Sequence, residues 1–331
     1  MNTQSKILIT GATGFLGSYL VKFLVKNGYQ HLSAICRGPQ LDYPVDGITW
    51  KVGDLLDMPF VESAVDGMDY VFHCGAIISY DAAERKIMYE TNIVGTEYLV
   101  NACLSNGVKK LIYVSSIAAI GRPEDGLLID ESTTWSDTAD HSHYGRSKHL
   151  AEREVWRGVA EGLRTTIVNP SVILGAGNWK KGSQKLFRTV ADGLKYYPSG
   201  ATGFVDVRDV VEFMVRCADP SFDDERYILN GANLSWRHFF ERVAVGLGVA
   251  PPTKEAGPIS TELARVVSWI RNKLLGEKSL ITKDTIATSR KKNSYNANKS
   301  ISQGFSYRPI DETIAETTAM YLRKTGQLLD F

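Results

Sequence analysis

The sequence predicts an open α/β fold, a parallel sheet wound with helices on both faces, and three observations predict it. Short apolar runs of strand length recur at Ile7–Ile9, Leu32–Cys36, Thr49–Val52, Tyr70–Phe72, Leu111–Val114 and Thr166–Val168. Stretches of helical periodicity lie between them, and strand alternating with helix at this spacing implies right-handed crossovers and parallel neighbours. The chain of 331 residues, 44% hydrophobic and 23% charged, is long enough to bury a large core in one domain or two closely joined ones.

The first strand runs directly into Gly11-Ala12-Thr13-Gly14-Phe15-Leu16-Gly17. Gly11 permits the tight turn from strand to helix, Gly14 lets backbone N–H groups approach a phosphate, and Gly17 lets the helix pack closely on the sheet. The helix that follows carries Phe15, Leu16, Leu20, Phe23 and Leu24 on one face and ends at Gly28, and its positive N-terminus points at the same place. Strand, glycine turn and helix together read as a dinucleotide-binding site, with Gly11, Thr13, Gly14, Phe15, Leu16 and Gly17 around the pyrophosphate.

Further helices are expected at Met58–Val65, Arg85–Ser105 and His143–Glu161. Residues 1–174 then form a doubly wound, Rossmann-type domain. Residues 203–230 are expected to rejoin it, with a strand end at Gly203–Val211 that returns to the sheet and feeds a helix to about Ala218, and after Tyr227–Leu229 the chain turns mostly helical. Residues 175–202 and 231–331 read as a smaller, mostly helical substrate-binding lid. Its helices are placed at Leu186–Ala191, at Trp236–Gly246 behind a Ser235 cap, at Ile259–Leu275 and at Asp311–Lys324, with breaks at Pro251-Pro252 and Gly257-Pro258. The lid should cover the carboxyl ends of the strands, where open α/β sheets bind ligands.

Composition narrows the function. A formal net charge of +1 without a basic run leaves little to neutralise a phosphate backbone, so nucleic acid is not an expected partner. The apolar runs are too short for a membrane span and the polar start has no signal-peptide core, so a cytoplasmic protein without membrane contact is expected. Cys36, Cys74, Cys103 and Cys217 are spread without paired or ligand-like spacing, which reads as reduced thiols and no metal.

The chemistry concentrates at Tyr144-Gly145-Arg146-Ser147-Lys148, at the start of a helix. A tyrosine and a lysine four apart share a helix face, so an ammonium can favour the phenolate and help the phenol exchange a proton near neutral pH. Tyr295 and Lys299 have the same spacing but fall in an Asn/Ser-rich stretch far from the sheet. Before Tyr144, the strand Leu111–Val114 ends in Ser115-Ser116, where a hydroxyl can meet a substrate carbonyl at the ligand edge of the sheet.

The glycine turn, the serine pair and Tyr144/Lys148 together resemble the extended short-chain dehydrogenase/reductase superfamily, the NAD-dependent epimerase/dehydratases. Supporting segments fall in that family's order: Gly53-Asp54-Leu55-Leu56-Asp57, His73-Cys74-Gly75-Ala76, Asn92-Ile93-Val94-Gly95-Thr96 and Asn169-Pro170-Ser171. The resemblance implies that Ser116, Tyr144 and Lys148 are catalytic, with Ser115 a structural neighbour. It implies that Asp54 and Leu55 meet the adenine, that Cys74, Gly75 and Ala76 line the pyrophosphate and ribose, and that Pro170 and Ser171 hold the nicotinamide. Asn92 joins the cofactor set, and Lys148 also binds the nicotinamide ribose. Gly75 alters the family's usual glycine/alanine pattern. The helices at Arg85–Ser105 and His143–Glu161 correspond to the face through which relatives often form homodimers.

Arg37 stands at the end of the second strand, where an acid would bind the ribose 2′-hydroxyl. It favours the 2′-phosphate of NADP(H), with NAD(H) the alternative if Arg37 is only a solvated surface residue. Ser116 is followed by Ile117-Ala118 rather than by an acid, which argues against a dehydratase. Val172 stands where nucleotide-sugar epimerases commonly carry an asparagine. With the Tyr196-Tyr197 loop, read as an uncharged aromatic lining, this looks closest to the dihydroflavonol-reductase-like branch. The expectation is therefore a reductase of small-molecule carbonyls. A nucleotide-sugar epimerase with tightly bound NAD is the second reading, and a non-catalytic dinucleotide sensor or scaffold the third.

Overall fold

The computed structural model describes residues 1–38, 47–122, 128–137, 141–257, 283–323 and 329–331. Its main sheet holds β1 (Lys6–Thr10), β2 (His31–Cys36), β3 (Ile48–Val52), β4 (Tyr70–His73), β5 (Lys110–Val114), β6 (Thr165–Pro170) and β10 (Glu225–Leu229). The order is β10-β6-β5-β4-β1-β2-β3, and every neighbouring pair is parallel. The order reverses beside β1, and a crevice for a ligand opens at the carboxyl ends of such strands.

The pleat divides the core. Ile7 and Ile9 of β1 face α1 (Phe15–Lys26) and α7 (Val207–Arg216) through Leu16, Leu20, Val210 and Met214. Leu8 faces the opposite layer, built from α2 (Met58–Val65), α4 (Gly95–Ser105) and α5 (His143–Ala160) through Val61, Leu99 and Val155. The helix expected over Arg85–Ser105 is a run of α3 (Arg85–Tyr89), one π-helical turn (Glu90–Val94) and α4.

Two expectations need correction. The strand within Gly203–Val211 is β9 (Ala201–Asp206), which does not enter the main sheet. It pairs with β7 (Val172–Leu174) and β11 (Ala232–Ser235), and β10 is the strand that extends the main sheet beside β6. Strand propensity marks an extended segment without choosing its partner. In the observed pairing Gly203 is closely packed: a Cβ there would lie 2.2 Å from Asn230 Oδ1. Second, Tyr196–Tyr197 is no uncharged pocket lining. It is β8, paired with β12 (Lys254–Glu255), with Tyr197 buried in the lid core and Arg237 5.7 Å from its ring.

That lid core joins Phe187 of α6 (Gln184–Ala191), Phe239 and Val243 of α8 (Trp236–Leu247), and Ile314 of α11 (Ile310–Leu322). Two shorter helices, α9 (Lys283–Ser289) and α10 (Asn298–Ser302), precede α11. The helix expected at Ile259–Leu275, with Pro258, lies outside the described residues, as does Lys324 at the expected end of α11.

Ion pairs fasten the C-terminal helical region to α7. Asp206 caps α7 by accepting from the Arg208 N–H at 2.7 Å, and it also accepts from the Arg208 guanidinium (2.7 Å) and the Thr313 hydroxyl (2.8 Å). Arg308 pairs with Asp209 and, at 2.6 Å, with Glu212. Burial raises the Asp209 carboxyl to about 6 even though Arg308 pulls it down. Removing one partner of a buried pair costs about 3–5 kcal/mol. Arg308→Met is therefore expected to lower the melting temperature at pH 7.5. Without Arg308 to pull it down, the folded Asp209 carboxyl lies still further above its unfolded value, so in the variant it takes up a proton at higher pH than in the parent, which neutralises the unpaired charge. The gap between variant and parent should narrow at pH 5, and a gap constant from pH 5 to 8 would refute this account.

Candidate active site

The glycine turn is built on close approach. Gly11 has φ +68°, and a Cβ there would lie 2.6 Å from the Cys74 carbonyl carbon and the Gly75 nitrogen. The loops after β1 and β4 therefore touch. A Cβ at Gly17 would lie 2.2 Å from the Gly11 carbonyl oxygen, which keeps α1 pressed to the turn. Helix α1 starts after the exposed Gly14 with no side-chain cap and no acid in its first turn. A positive helix end that no protein anion neutralises fits a diphosphate. Thr13 is half-buried in this turn, with Phe15 and Leu16 opening the helix behind it.

Around this cradle, the Gly75 N–H donates to Thr10 Oγ1 at 3.1 Å. A Cβ at Gly75 would come within 3.0 Å of Leu55 Cδ1, a steric reason for glycine before Ala76. Asp54 accepts from the Leu56 N–H at 3.0 Å and so holds the turn after β3, while Leu55 is buried. Cys74 is half-buried, and burial pushes its thiol up to about 12. Arg37 is exposed at the end of β2. Pro170 ends β6, and the Ser171 N–H donates to the Leu229 carbonyl at 2.9 Å.

Ser116, Tyr144 and Lys148 converge at the carboxyl end of β5. Ser142 caps α5 by accepting from the Gly145 N–H at 3.0 Å. A Cβ on Gly145 would lie 2.5 Å from the Ala118 carbonyl, so the helix start is pressed against the turn after Ser116. That contact brings the buried Tyr144 phenol into a hydrogen bond with the Ser116 side chain. The Ser115 hydroxyl is buried with no partner among the described residues. The Tyr80 ring lies 6.2 Å from the Tyr144 ring.

Electrostatics depart from the simple Tyr/Lys expectation. Burial first, and then Tyr80, raises the Tyr144 phenol, while the Ser116 hydroxyl lowers it. Lys148, 1% exposed, donates to the Tyr113 hydroxyl at 2.6 Å and the Val114 carbonyl at 2.8 Å. Burial lowers its amine to about 7 against the opposing pull of Glu152.

Several residues support the site in ways their motifs do not reveal, and Glu152 and Arg226 stand in no motif at all. Asn169 donates to the Ser116 carbonyl at 2.9 Å and to Glu152 at 2.6 Å, and Arg226 donates to Glu152 at 3.2 Å. These bonds tie the serine turn to α5. Asn92, in the π-helical turn, donates to the Ile77 carbonyl (3.0 Å) and Ser147 Oγ (2.9 Å) and accepts from the Ile77 N–H (2.8 Å). Its amide thus holds the loop after β4 rather than pointing into the cleft. The competing pair separates: Lys299 donates to Glu225 at 2.5 Å and the Arg226 carbonyl at 2.8 Å, while Tyr295 bridges to Ile129.

Comparison with known proteins gives the family. A 31% identical relative, "Sterol demethylase protein B" of Methylococcus capsulatus, aligns over 68% of this chain and 69% of its own. A "Putative dihydroflavonol 4-reductase" of Synechocystis is 28% identical over 93% of this chain and 92% of its own. The crystal structure of gox2253 superposes with a TM-score of 0.82 at 29% identity, covering 98% of this chain and 99% of that one. The model of the NAD dependent epimerase/dehydratase family matches residues 7–229, and the chain belongs to that family.

Proposed function

We propose that the protein reduces a carbonyl of a small molecule to an alcohol with NADP(H). The observation that carries this reading is the Tyr144 phenol on the Ser116 hydroxyl, one helical turn from Lys148, at the sheet edge where the uncapped α1 also begins. A nicotinamide held by Pro170 and Ser171, with its ribose on Lys148, would supply the hydride. Ser116 donates a hydrogen bond that orients the substrate carbonyl and favours charge on its oxygen. Tyr144, kept protonated by burial, releases its proton to that oxygen as the alcohol forms. The Lys148 ammonium favours the phenolate left behind, which solvent reprotonates. Gly11, Gly14 and Gly17 leave room for the diphosphate, and Arg37 pairs with the 2′-phosphate.

The same three side chains would serve an epimerase, which retains its nucleotide and reverses the hydride transfer. Against that reading, Ile117-Ala118 follows Ser116, Val172 has no amide to hold a nucleotide sugar, and a relative named as a dihydroflavonol reductase aligns over nearly the whole chain. We further propose that copies pair through the outer face of the π-helical turn and α5, where Ile93, Leu150, Arg153, Glu154 and Arg157 line a groove.

Three outcomes are expected. Purified protein should oxidise NADPH with a panel of aromatic or aliphatic aldehydes and ketones, and should leave the stereochemistry of nucleotide sugars unchanged. Epimerisation with a nucleotide that survives gel filtration would overturn the assignment. Tyr144→Phe should cost on the order of a hundredfold or more in turnover while still binding NADPH, whereas Tyr295→Phe should change little. Arg37→Asp should abolish a preference for NADPH over NADH of about tenfold or more, and equal affinities in the parent would remove the role of Arg37.

A further inference from the structure

We propose that Tyr113 is a positioning residue for Lys148, and that a buried chain through Thr96, His73 and Thr10 holds it and ties the amine to the loop under the pyrophosphate. This inference rests on the reading of Lys148 as a cofactor-contacting amine.

The protons along the chain can be placed one by one. Lys148 has only donors, so its 2.6 Å contact makes the Tyr113 oxygen the acceptor. Tyr113 is itself fully buried and hydrogen-bonded to the Thr96 side chain. The single Thr96 proton goes to the Asn92 carbonyl at 2.6 Å, so Tyr113 donates to Thr96. Thr96 also lies 3.0 Å from His73 Nε2, which must then carry a proton and donate. Nδ1 of the neutral ring is left to accept from the Thr10 hydroxyl at 2.6 Å, and Thr10 accepts in turn from the Gly75 N–H. Each donor has an acceptor, and the direction runs from ammonium to phenol to threonine. The Lys148 amine also lies 4.3 Å from the centre of the Tyr113 ring.

The titratable and charged groups facing Lys148 are Tyr144 and Glu152 on its own helix, Tyr113 on β5, and His73 and Cys74 at the end of β4. Burial keeps His73 neutral. Glu152 favours the ammonium, and it is shared with Asn169 and Arg226. The Tyr113 oxygen and the Val114 carbonyl are the acceptors that replace water around the charge.

Tyr113→Phe removes one oxygen and keeps the ring. The test titrates NADPH binding to the full chain by fluorescence between pH 5.5 and 9, which needs no substrate. Parental affinity should fall as pH rises through about 7, where Lys148 loses its proton. In Tyr113→Phe that limb should move down by about one pH unit, the size expected for one lost hydrogen bond to a charged group. Thr96→Ser, which keeps the hydroxyl, should leave the parental profile unchanged, and Thr96→Val should shift it in the same direction as Tyr113→Phe. An unchanged limb in Tyr113→Phe overturns the proposal. Lys148→Met distinguishes the two readings: if it binds NADPH with the parental pH profile, the assignment of Lys148 to the cofactor fails, whatever Tyr113 does.

Discussion

A cation held out of water is the constraint around which this site is organised. Burying an ammonium costs several kcal/mol unless fixed dipoles and charges replace its hydration. Here the replacements are a phenol and a carbonyl of β5 together with Glu152 one turn along α5. They act only if α5 lies tightly against the turn after β5, which Gly145 permits, while Gly158 lets the same helix approach α4. Gly145 admits the Ala118 carbonyl, and Gly158 admits Val100 from α4, where a Cβ would come within 2.7 Å of a methyl carbon. Close helix packing and placement of the amine are one structural event.

The expected lysine effect on tyrosine changes meaning in this light. Spacing suggested an ammonium that lowers the phenol, yet burial raises Tyr144, and the Lys148 amine points to Tyr113 instead. For a proton donor this arrangement is serviceable. A phenol that stays protonated arrives loaded at the substrate, and the field of the lysine matters at the moment the phenolate forms. The proton-transfer geometry is set first by Ser116, whose hydroxyl meets the phenol and whose carbonyl is held by Asn169.

The fold was legible because its signals are local. Strand-length runs, a glycine turn and helical periodicity each declare themselves within about ten residues, and six of the seven main-sheet strands follow from them. Ser116, Tyr144 and Lys148 were legible because a strand end and an i, i+4 pair fix their directions. Tyr113 and Glu152 were not, since each looks like an ordinary strand or helix residue, and His73, Thr96 and Asn169 stood in quoted segments without their partners, which appear only when the parallel register sets β4 beside β5 and α5 across both. Strand β9 misled for the same reason: its apolar pattern fits either sheet, and its pairing with β7 and β11 is visible only in the folded chain.

The π-helical turn shows how that register is locked. Its wide ring, closed by the Gly95 N–H on the Glu90 carbonyl, adds a residue to what would otherwise be one regular helix. Such insertions are kept where a side chain must be re-aimed. Here two are aimed inward four residues apart. Asn92 grips both the loop after β4 and Ser147 of α5, while Thr96 sits beneath His73 and Tyr113. The loop that approaches the phosphates and the helix that carries Tyr144 and Lys148 are therefore held to a common support. A displacement of either would break bonds to buried polar groups that have no water to replace them.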